Sequence, residues 1–539
     1  MRNIKTYQIL FALMVIVFVS PSCKKQLEEK PYSFLSPNNF YQNESDAKTA
    51  INGVYAELYS WDMFMQPFWN MTLLDDDHVS GADWFLGTTG AGNPQGYWGV
   101  DGPWDGCFKM ISRANTVLEN VAKIEKSIDP DIKTRIMGEA HFLRGWAYFQ
   151  LVQLYGNVPL RLKSLSADPN QNTPRADLKD NYAAIIEDFK KAETMLFPVG
   201  SPKAGEPGRV KRGVAKAFLA KTYLTMASGS LSGASVSVRG GQDNGYYTYT
   251  KEVVKGLEGL NSKMYFELAR DKAKEVIDEA EYSLFANWVD IWTIPSRNTK
   301  ENMWQLQSLA GTDFVNNLHN YFSARSTFGT GATWISNNHY KDYEEDDARV
   351  LKGVTHNYQA LNGVYVFYPS WEAHKYKTVN GINYNNNGTT SDKAYTIKYS
   401  SVTDPSLANS DAYFPLMRFA EVLLIYAEAA NEANGGPTVE AYTQLNRILS
   451  RVNASAAPAS MTQQQFRSFV LAERAREFAM EGVRRFDLMR WGIYLQVMNR
   501  ISLGQNNISK VRTQKNLLLP IPLSELNSNK AITSNNPGW

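Results

Sequence analysis

Residues 132–155, IKTRIMGEAHFLRGWAYFQLVQLY, decide the fold. Ile136, Ala140, Leu143, Ala147, Leu151 and Leu154 recur at three- and four-residue spacing, the period of one helix face. Phe142, Trp146 and Phe149 form a second apolar face. A helix that is apolar on two sides belongs between neighbouring helices rather than at a surface. Gly156 stands where a left-handed residue ends such a helix. Further helices are expected on both sides of it. One starts at the N-cap signal Ser45-Asp46 and runs to about Tyr59, and others cover about 104–124, 177–196, 213–226, 267–280, 419–433, 439–451 and 464–480. Small residues mark the positions where helices touch: Ala140 and Ala147 one heptad apart, Ala215 with Ala220, and Ala427 with Ala430. Helix pairs of about 34 residues with small contact positions point to a tetratricopeptide-like array. No strict internal repeat is present, and a generic helical bundle shares the same periodicity.

Two stretches break the helical pattern. Residues 60–101 are crowded with Trp, Gly, Asn and Asp, and residues 282–411 mix short strand-like runs such as Met303–Leu309 with Asn/Gly/Thr-rich loops. Loops longer than about 12–15 residues inside a compact domain are usually functional or disordered. Their aromatic density argues against disorder. The first stretch interleaves Trp61, Phe64, Phe68, Trp69, Trp84, Phe85, Tyr97 and Trp98 with Asn70, Asp83, Asn93 and Gln95. That mixture suits a sugar, whose apolar C–H face lies on a flat ring while amides and carboxylates take its hydroxyls. In the second stretch Trp304 alternates with Leu306 as if in a strand and reads as core, whereas Tyr321 and Trp334 fall among Gly, Ser and Asn.

The amino end carries an address. Arg2 and Lys5 precede an unbroken apolar run from Ile9 to Val19, then Ser20-Pro21-Ser22 and Cys23. A charged start, a short apolar core and a small-residue exit read as a secretory signal peptide, and the run is too short to span a bilayer, which takes about 20 residues. A cysteine directly behind it is where a bacterial lipoprotein is cleaved and acylated, although Ser20 stands where Leu or Val is usual. The charged stretch from Lys24 to Pro31 reads as a tether between lipid and body. With Cys23 acylated, Cys107 has no partner for a disulfide and is expected as a small buried hydrophobe.

Other chemistries find little support. A net charge of +2 over 539 residues offers no basic stripe for nucleic acid. Asp75-Asp76-Asp77-His78 has hard-cation ligands but no spaced ligand loop, and no two His stand at helical metal spacing, so neither a metal site nor a cofactor is expected. HExxH, GxSxG and phosphate-loop motifs are missing from the sequence, and nothing singles out a carboxylate pair for glycoside hydrolysis. Arg474, Arg476, Arg484, Arg485 and Arg490 alternate with Glu473, Glu477, Glu481 and Asp487, which reads as a structural ion-pair network.

Four strings, in order, carry a resemblance: RGWAYFQLVQLYGNVPL at 144–160, MRFAEVLLIYAEAANEA at 417–433, ERAREFAMEGVRRFDLMRWG at 473–492 and LLLPIPLSEL at 517–526. The chain closes on NNPGW, where the family's usual Gln-Asn-Pro-Gly is here Asn535-Asn536-Pro537-Gly538. Behind a lipoprotein signal, this set resembles the SusD/RagB family of outer-membrane nutrient-binding lipoproteins of the Bacteroidetes. The resemblance implies a mostly helical fold of about four tetratricopeptide-type helix pairs, with a long-loop, mixed α/β region bearing the ligand. It divides the chain into a signal peptide (1–22), an N-terminal region (23–230) and a C-terminal region (231–539) containing the loop-rich insert 282–411. It implies a lipid on Cys23, an outer-membrane location on the cell surface, a SusC-like TonB-dependent transporter as partner, an oligosaccharide (in some members a peptide) as ligand, and no catalysis. By the same analogy the first ligand-bearing loop lies between the first two body helices, which singles out Trp84 and Trp98, then Trp61, with Tyr321 and Trp334 from the second stretch. The competing expectations are a tetratricopeptide scaffold that binds only protein, and an exported glycosidase.

Overall fold

The computed structural model describes residues 40–324, 329–385 and 387–539. Cys23 and the leader before it lie outside the described residues. Among the described residues no helix is long and apolar enough to cross a membrane.

The central helix spans Pro130–Tyr155. The Asp129 carboxylate caps it, accepting from the backbone N–H groups of Asp131 (2.8 Å) and Ile132 (3.2 Å), and Pro130 occupies the first turn, where no N–H is needed. Gly156, at φ 70°, ends it. Both apolar faces are buried, against Gly102–Val121 on one side and Leu178–Met195 on the other. Gly145 permits the second approach, since a Cβ there would stand 3.1 Å from the Asp188 side chain and 3.2 Å from the Phe189 ring. The polar groups trapped in this interface satisfy one another. Asp188 accepts from Arg144 Nε (2.8 Å) and Nη2 (2.7 Å) and lies 2.7 Å from His141 Nδ1. Burial raises the Asp188 pKa, but Arg144 and His141 outweigh it and hold the carboxyl below its ordinary range.

The long helices pack in pairs along the chain. Glu44–Ala56 packs with Gly102–Val121, Pro130–Tyr155 with Leu178–Met195, Arg212–Ser230 with Ser262–Asp278, and Phe419–Asn434 with Val439–Arg451. Gln463–Glu477 closes the array against Phe419–Asn434. The expected fold class, a mostly helical tetratricopeptide-like superhelix of about four pairs with a loop-rich mixed region, is the one observed. The first helix begins earlier than its Ser45-Asp46 signal because Asn43 is the cap: its side chain accepts from Asp46 N–H at 3.1 Å. Residues 60–101 are also less irregular than their composition suggests. They contain a π-helical turn, Trp61–Met65, and a fully buried helix, Pro67–Leu73. Two short helices, Arg484–Arg490 and Tyr494–Ile501, follow the last expected one.

The strands are few and short, and they tie distant segments together. Asn302–Leu306 pairs antiparallel with Phe414–Arg418, which feeds directly into helix Phe419–Asn434. Trp304 in this pair is core, set edge-on to Phe142 (5.1 Å, 85°) and Trp146 (5.7 Å, 89°). Cys107 is fully buried, and burial pushes its thiol well above the ordinary range, which suits a packing residue rather than a nucleophile.

The charged residues late in the chain form a buried network. Arg418 Nε donates to Glu481 (2.8 Å), and its Nη1 donates to Glu301 (2.6 Å) and Glu477 (2.8 Å). Arg451 joins Glu301 and Glu477, Arg349 joins Asp347, Glu473 and Glu477, and Lys398 joins Glu481. Residues 301, 349 and 398 belong to the insert, so this network fastens it to the helical body. Burial opposes ionisation of Glu477, but Arg451, Arg418 and Arg349 together hold its carboxyl well below the ordinary 4.5. A depressed carboxyl stabilises the fold fully above its unfolded value and loses that contribution as pH falls through the folded one. Glu477→Gln is therefore expected to cost about 3–5 kcal/mol near neutral pH, because it leaves buried guanidinium groups uncompensated. Thermal unfolding should show the wild-type advantage shrinking as pH drops from about 5 to about 3; an equal difference at both pH values would contradict the assignment.

Candidate functional site

The region between the first two body helices is built on a braced loop. Asp75 receives Arg512 through Nε (2.9 Å) and Nη2 (2.7 Å) and pairs with Arg485. Arg512 Nη2 also donates to Gly90 O (2.6 Å), and Asn516 Nδ2 donates to Gly92 O (2.7 Å). Gly92 has φ 79°, and a Cβ there would lie 2.9 Å from the Arg512 guanidinium, so the backbone and its brace fit only with glycine. Asp76 Oδ1 caps its own turn, accepting from the His78 and Val79 N–H groups at 2.8 Å each, while Lys510 Nζ donates to the Asp76 and Val79 carbonyls. Asp77 takes both arms of Arg484, at 2.8 and 2.6 Å. The acidic run at 75–77 is thus engaged with basic side chains of the C-terminal segment rather than arranged around a cation.

On this base stand three exposed indoles. Trp61, Trp84 and Trp98 expose 51%, 64% and 63% of their surface. Trp61 and Trp98 stack on each other with centroids 5.1 Å apart and planes 17° apart. Leaving an indole more than half in water forgoes on the order of 3 kcal/mol of burial per ring, so the stacked pair and Trp84 make this loop a candidate contact surface. Beneath them runs a buried aromatic seam. Trp98 packs on Tyr97 (4.9 Å), Trp84 on Phe85 (5.5 Å), and Phe85 stacks on Tyr321 (4.6 Å, 18°). Trp69 lies against both Phe85 and Tyr321 and donates its Nε1–H to Asn317 Oδ1 at 3.2 Å. Tyr321 is half-buried, and burial raises its hydroxyl pKa while a hydrogen bond with Gln66 opposes this. Asp83, Asn93 and Gln95 are exposed on the same loop and supply hydroxyl-binding groups.

The structure therefore brings Trp61 and Trp98 together, stands Trp84 on the same seam, and places Tyr321 under it as an anchor with one face covered by Phe85. Trp334 departs from expectation. It lies in strand Thr333–Ile335, paired antiparallel with Val79–Gly81, and is 0% exposed, edge-on to Tyr395 at 6.0 Å. The Gly, Ser and Asn around it resemble a loop, but the ring packs in a buried cluster with Ala324 and Tyr395, with Lys393 Nζ 4.8 Å from its centroid, so no ring face is left for a ligand. Trp371, which the sequence did not single out, is 41% exposed with Lys341 Nζ 4.5 Å from the ring centroid. Phe85 and Tyr97 were visible only as members of an aromatic-rich string. Their supporting role depends on Tyr321, more than two hundred residues away in the chain.

A buried helical body, a braced aromatic loop and indoles held open to solvent define a ligand-binding protein on a tetratricopeptide-like scaffold. The comparisons with known proteins agree with that architecture. The SusD family model matches residues 275–539, and a model described as "Starch-binding associating with outer membrane" matches residues 26–224. The chain belongs to the SusD/RagB family. It is 25% identical over 573 residues to SusD-like protein P25 of Formosa agariphila, covering 97% of each chain. A SusD homolog from Bacteroides thetaiotaomicron superposes with a TM-score of 0.74 at 22% identity, covering 93% of this chain and 98% of that one. A laminarin-binding SusD-like protein superposes with a TM-score of 0.66 at 19% identity, covering 93% and 100%.

The brace is open to a direct test. Arg512→Ala leaves Gly90 O without its donor and Asp75 with half its partners. It is expected to lower stability by about 3 kcal/mol or more. Limited proteolysis should then cut between residues 87 and 99 faster than in the wild type, and unchanged cleavage there would show that the loop holds its shape without the brace.

Proposed function

We propose that this chain is a cell-surface lipoprotein, anchored through Cys23 in the outer membrane, that captures oligosaccharides and delivers them to a SusC-like TonB-dependent transporter. One observation carries the reading: the paired indoles Trp61 and Trp98, with Trp84, are held exposed by a loop braced from the far end of the chain. Flat rings fixed in advance lose little freedom on binding, and the C–H faces of pyranose rings fill them. The starch-binding description of the matching N-terminal model and the laminarin-binding neighbour support a glycan over a peptide. The membership in a family described as associating with the outer membrane supports the location. Trp334 is not part of this proposal, and Tyr321 enters it as a support for Phe85.

Binding is expected to be non-catalytic. The late-chain carboxylates are consumed in ion pairs, among them Glu477 with Arg418 and Asp487 with Arg474. An acid held in such pairs is no proton donor near neutral pH.

Trp98→Ala and Trp84→Ala are expected to weaken binding of laminarin- or starch-derived oligosaccharides at least tenfold in isothermal titration, since removing a stacking ring costs about 1.5 kcal/mol or more. Co-purification with the transporter in mild detergent should be unchanged. Retained glycan affinity in both variants would overturn the platform assignment, and steady release of reducing ends by the wild type would overturn the non-catalytic reading.

A further inference from the structure

A second constellation lies apart from the indoles, on the floor of a polar cleft of about 360 Å³. His78, His339 and Asp342 line it, with Arg239, Gln505 and Lys510 around them. One ligand atom from each of the first three lies within 4.8 Å of the others. The two imidazoles come from segments 261 residues apart (339 − 78) and stack with centroids 3.7 Å apart and planes 7° apart. Val79–Gly81 and Thr333–Ile335, the strand pair next to them, together with the bond from Ser336 N to His78 O (2.8 Å), set that approach.

Hydrogen bonds hold each of the three side chains in place. Tyr343 OH donates to Arg476 O at 2.8 Å, so towards His339 Nε2, 3.3 Å away, its oxygen can only accept. His339 Nδ1 lies 3.4 Å from Asp342 Oδ2, so both ring nitrogens have a polar neighbour. His78 Nε2 lies 3.2 Å from Asp77 Oδ2, which places the proton there. His78 Nδ1 is buried and has no hydrogen-bond partner. Asp342 Oδ1 is held by Arg239 Nε at 3.0 Å, and Oδ2 faces His339. Each residue therefore offers one ligand atom to the same small volume, and that of His78 is without a hydrogen-bond partner if it is Nδ1. Each is also oriented from behind by a second group: Asp77 for His78, Tyr343 for His339 and Arg239 for Asp342. That second layer is the usual accompaniment of metal-ligating imidazoles.

We propose that His78, His339 and Asp342 bind one late divalent transition ion, with zinc as the reference, which staples the segment after the acidic run to the insert. Two imidazoles and a carboxylate form a donor set for zinc, copper or nickel rather than for calcium or magnesium, and the cleft leaves a further position for water. The neutral imidazole that ligation requires is favoured at His78, whose pKa burial pushes well below 6.5. Parallel rings point their lone pairs side by side, so ligation of one ion requires the two ring planes to rotate apart from the observed 7°. The nearby cations Arg239, Arg484 and Lys510 are balanced by Asp342, Asp77 and the carbonyls and carboxylate of the 75–77 turn.

The test uses the full mature chain without a histidine tag, stripped with a chelator, titrated with zinc chloride, and separately with calcium and magnesium chloride. One zinc per chain is expected, with no saturable binding of the other two, and an upward shift of the thermal midpoint. His78→Gln and the nearly isosteric Asp342→Asn are expected to weaken zinc at least tenfold while glycan binding at Trp98 stays as in the wild type. Absence of stoichiometric zinc binding by the wild type overturns the proposal. So does unchanged affinity in Asp342→Asn, which decides the matter even if His78→Gln fails to fold.

Discussion

Three consecutive aspartates hold this molecule in register. Asp75, Asp76 and Asp77 are buried, and they meet Arg485, Arg512, Lys510 and Arg484 from the C-terminal segment. Burying a carboxylate is costly unless it is paired and hydrogen-bonded, so the loop can enter the core only when the C-terminal segment is in place. From that constraint follow the fixed carbonyls at Gly90 and Gly92, the open posture of the indoles beyond them, and the cleft beside His78. The aromatic loop and the C-terminal segment are one unit, although more than four hundred residues separate Asp75 from Arg485 and Arg512.

The second charged network, around Arg418 and Glu477, works in the same way on the other side. It docks the insert through Glu301, Arg349 and Lys398 onto the strand and helices that end the array. Strand Asn302–Leu306 adds main-chain hydrogen bonds to the same junction. Long loops are tolerable here because their polar backbone and charged side chains find partners across the fold rather than along the sequence. Rigid loops on a rigid body favour binding, since little ordering remains to be done when a ligand arrives.

Exposure separates the aromatic residues by role. Trp69, Trp304 and Trp334 are buried, while Trp61, Trp84 and Trp98 are held in water by the residues underneath them. The same residue type in similar surroundings of Gly, Ser and Asn takes both fates, and composition does not separate Trp69 from Trp61, Trp84 and Trp98. Trp334 was misread because composition records turn formers but not pairing partners. Its neighbour across the strand pair is Ser80, and no local pattern near residue 334 announces that.

The sequence by itself determined the long helices and their order. Helical periodicity, caps and small contact residues are local properties, written within a few turns of chain, and residues such as Asp129, Pro130 and Gly156 mark the ends of the central helix directly. It also determined that the Arg/Glu run late in the chain is structural, and which loop is rich in platform residues. The tertiary structure alone decided which indoles are open, that Tyr321 stacks on Phe85, and that Asp75 and Asp77 are clamped by arginines. It alone brought His78 beside His339. Those outcomes rest on contacts between residues hundreds of positions apart, and a contact of that kind leaves no periodic trace in either partner's own stretch of sequence.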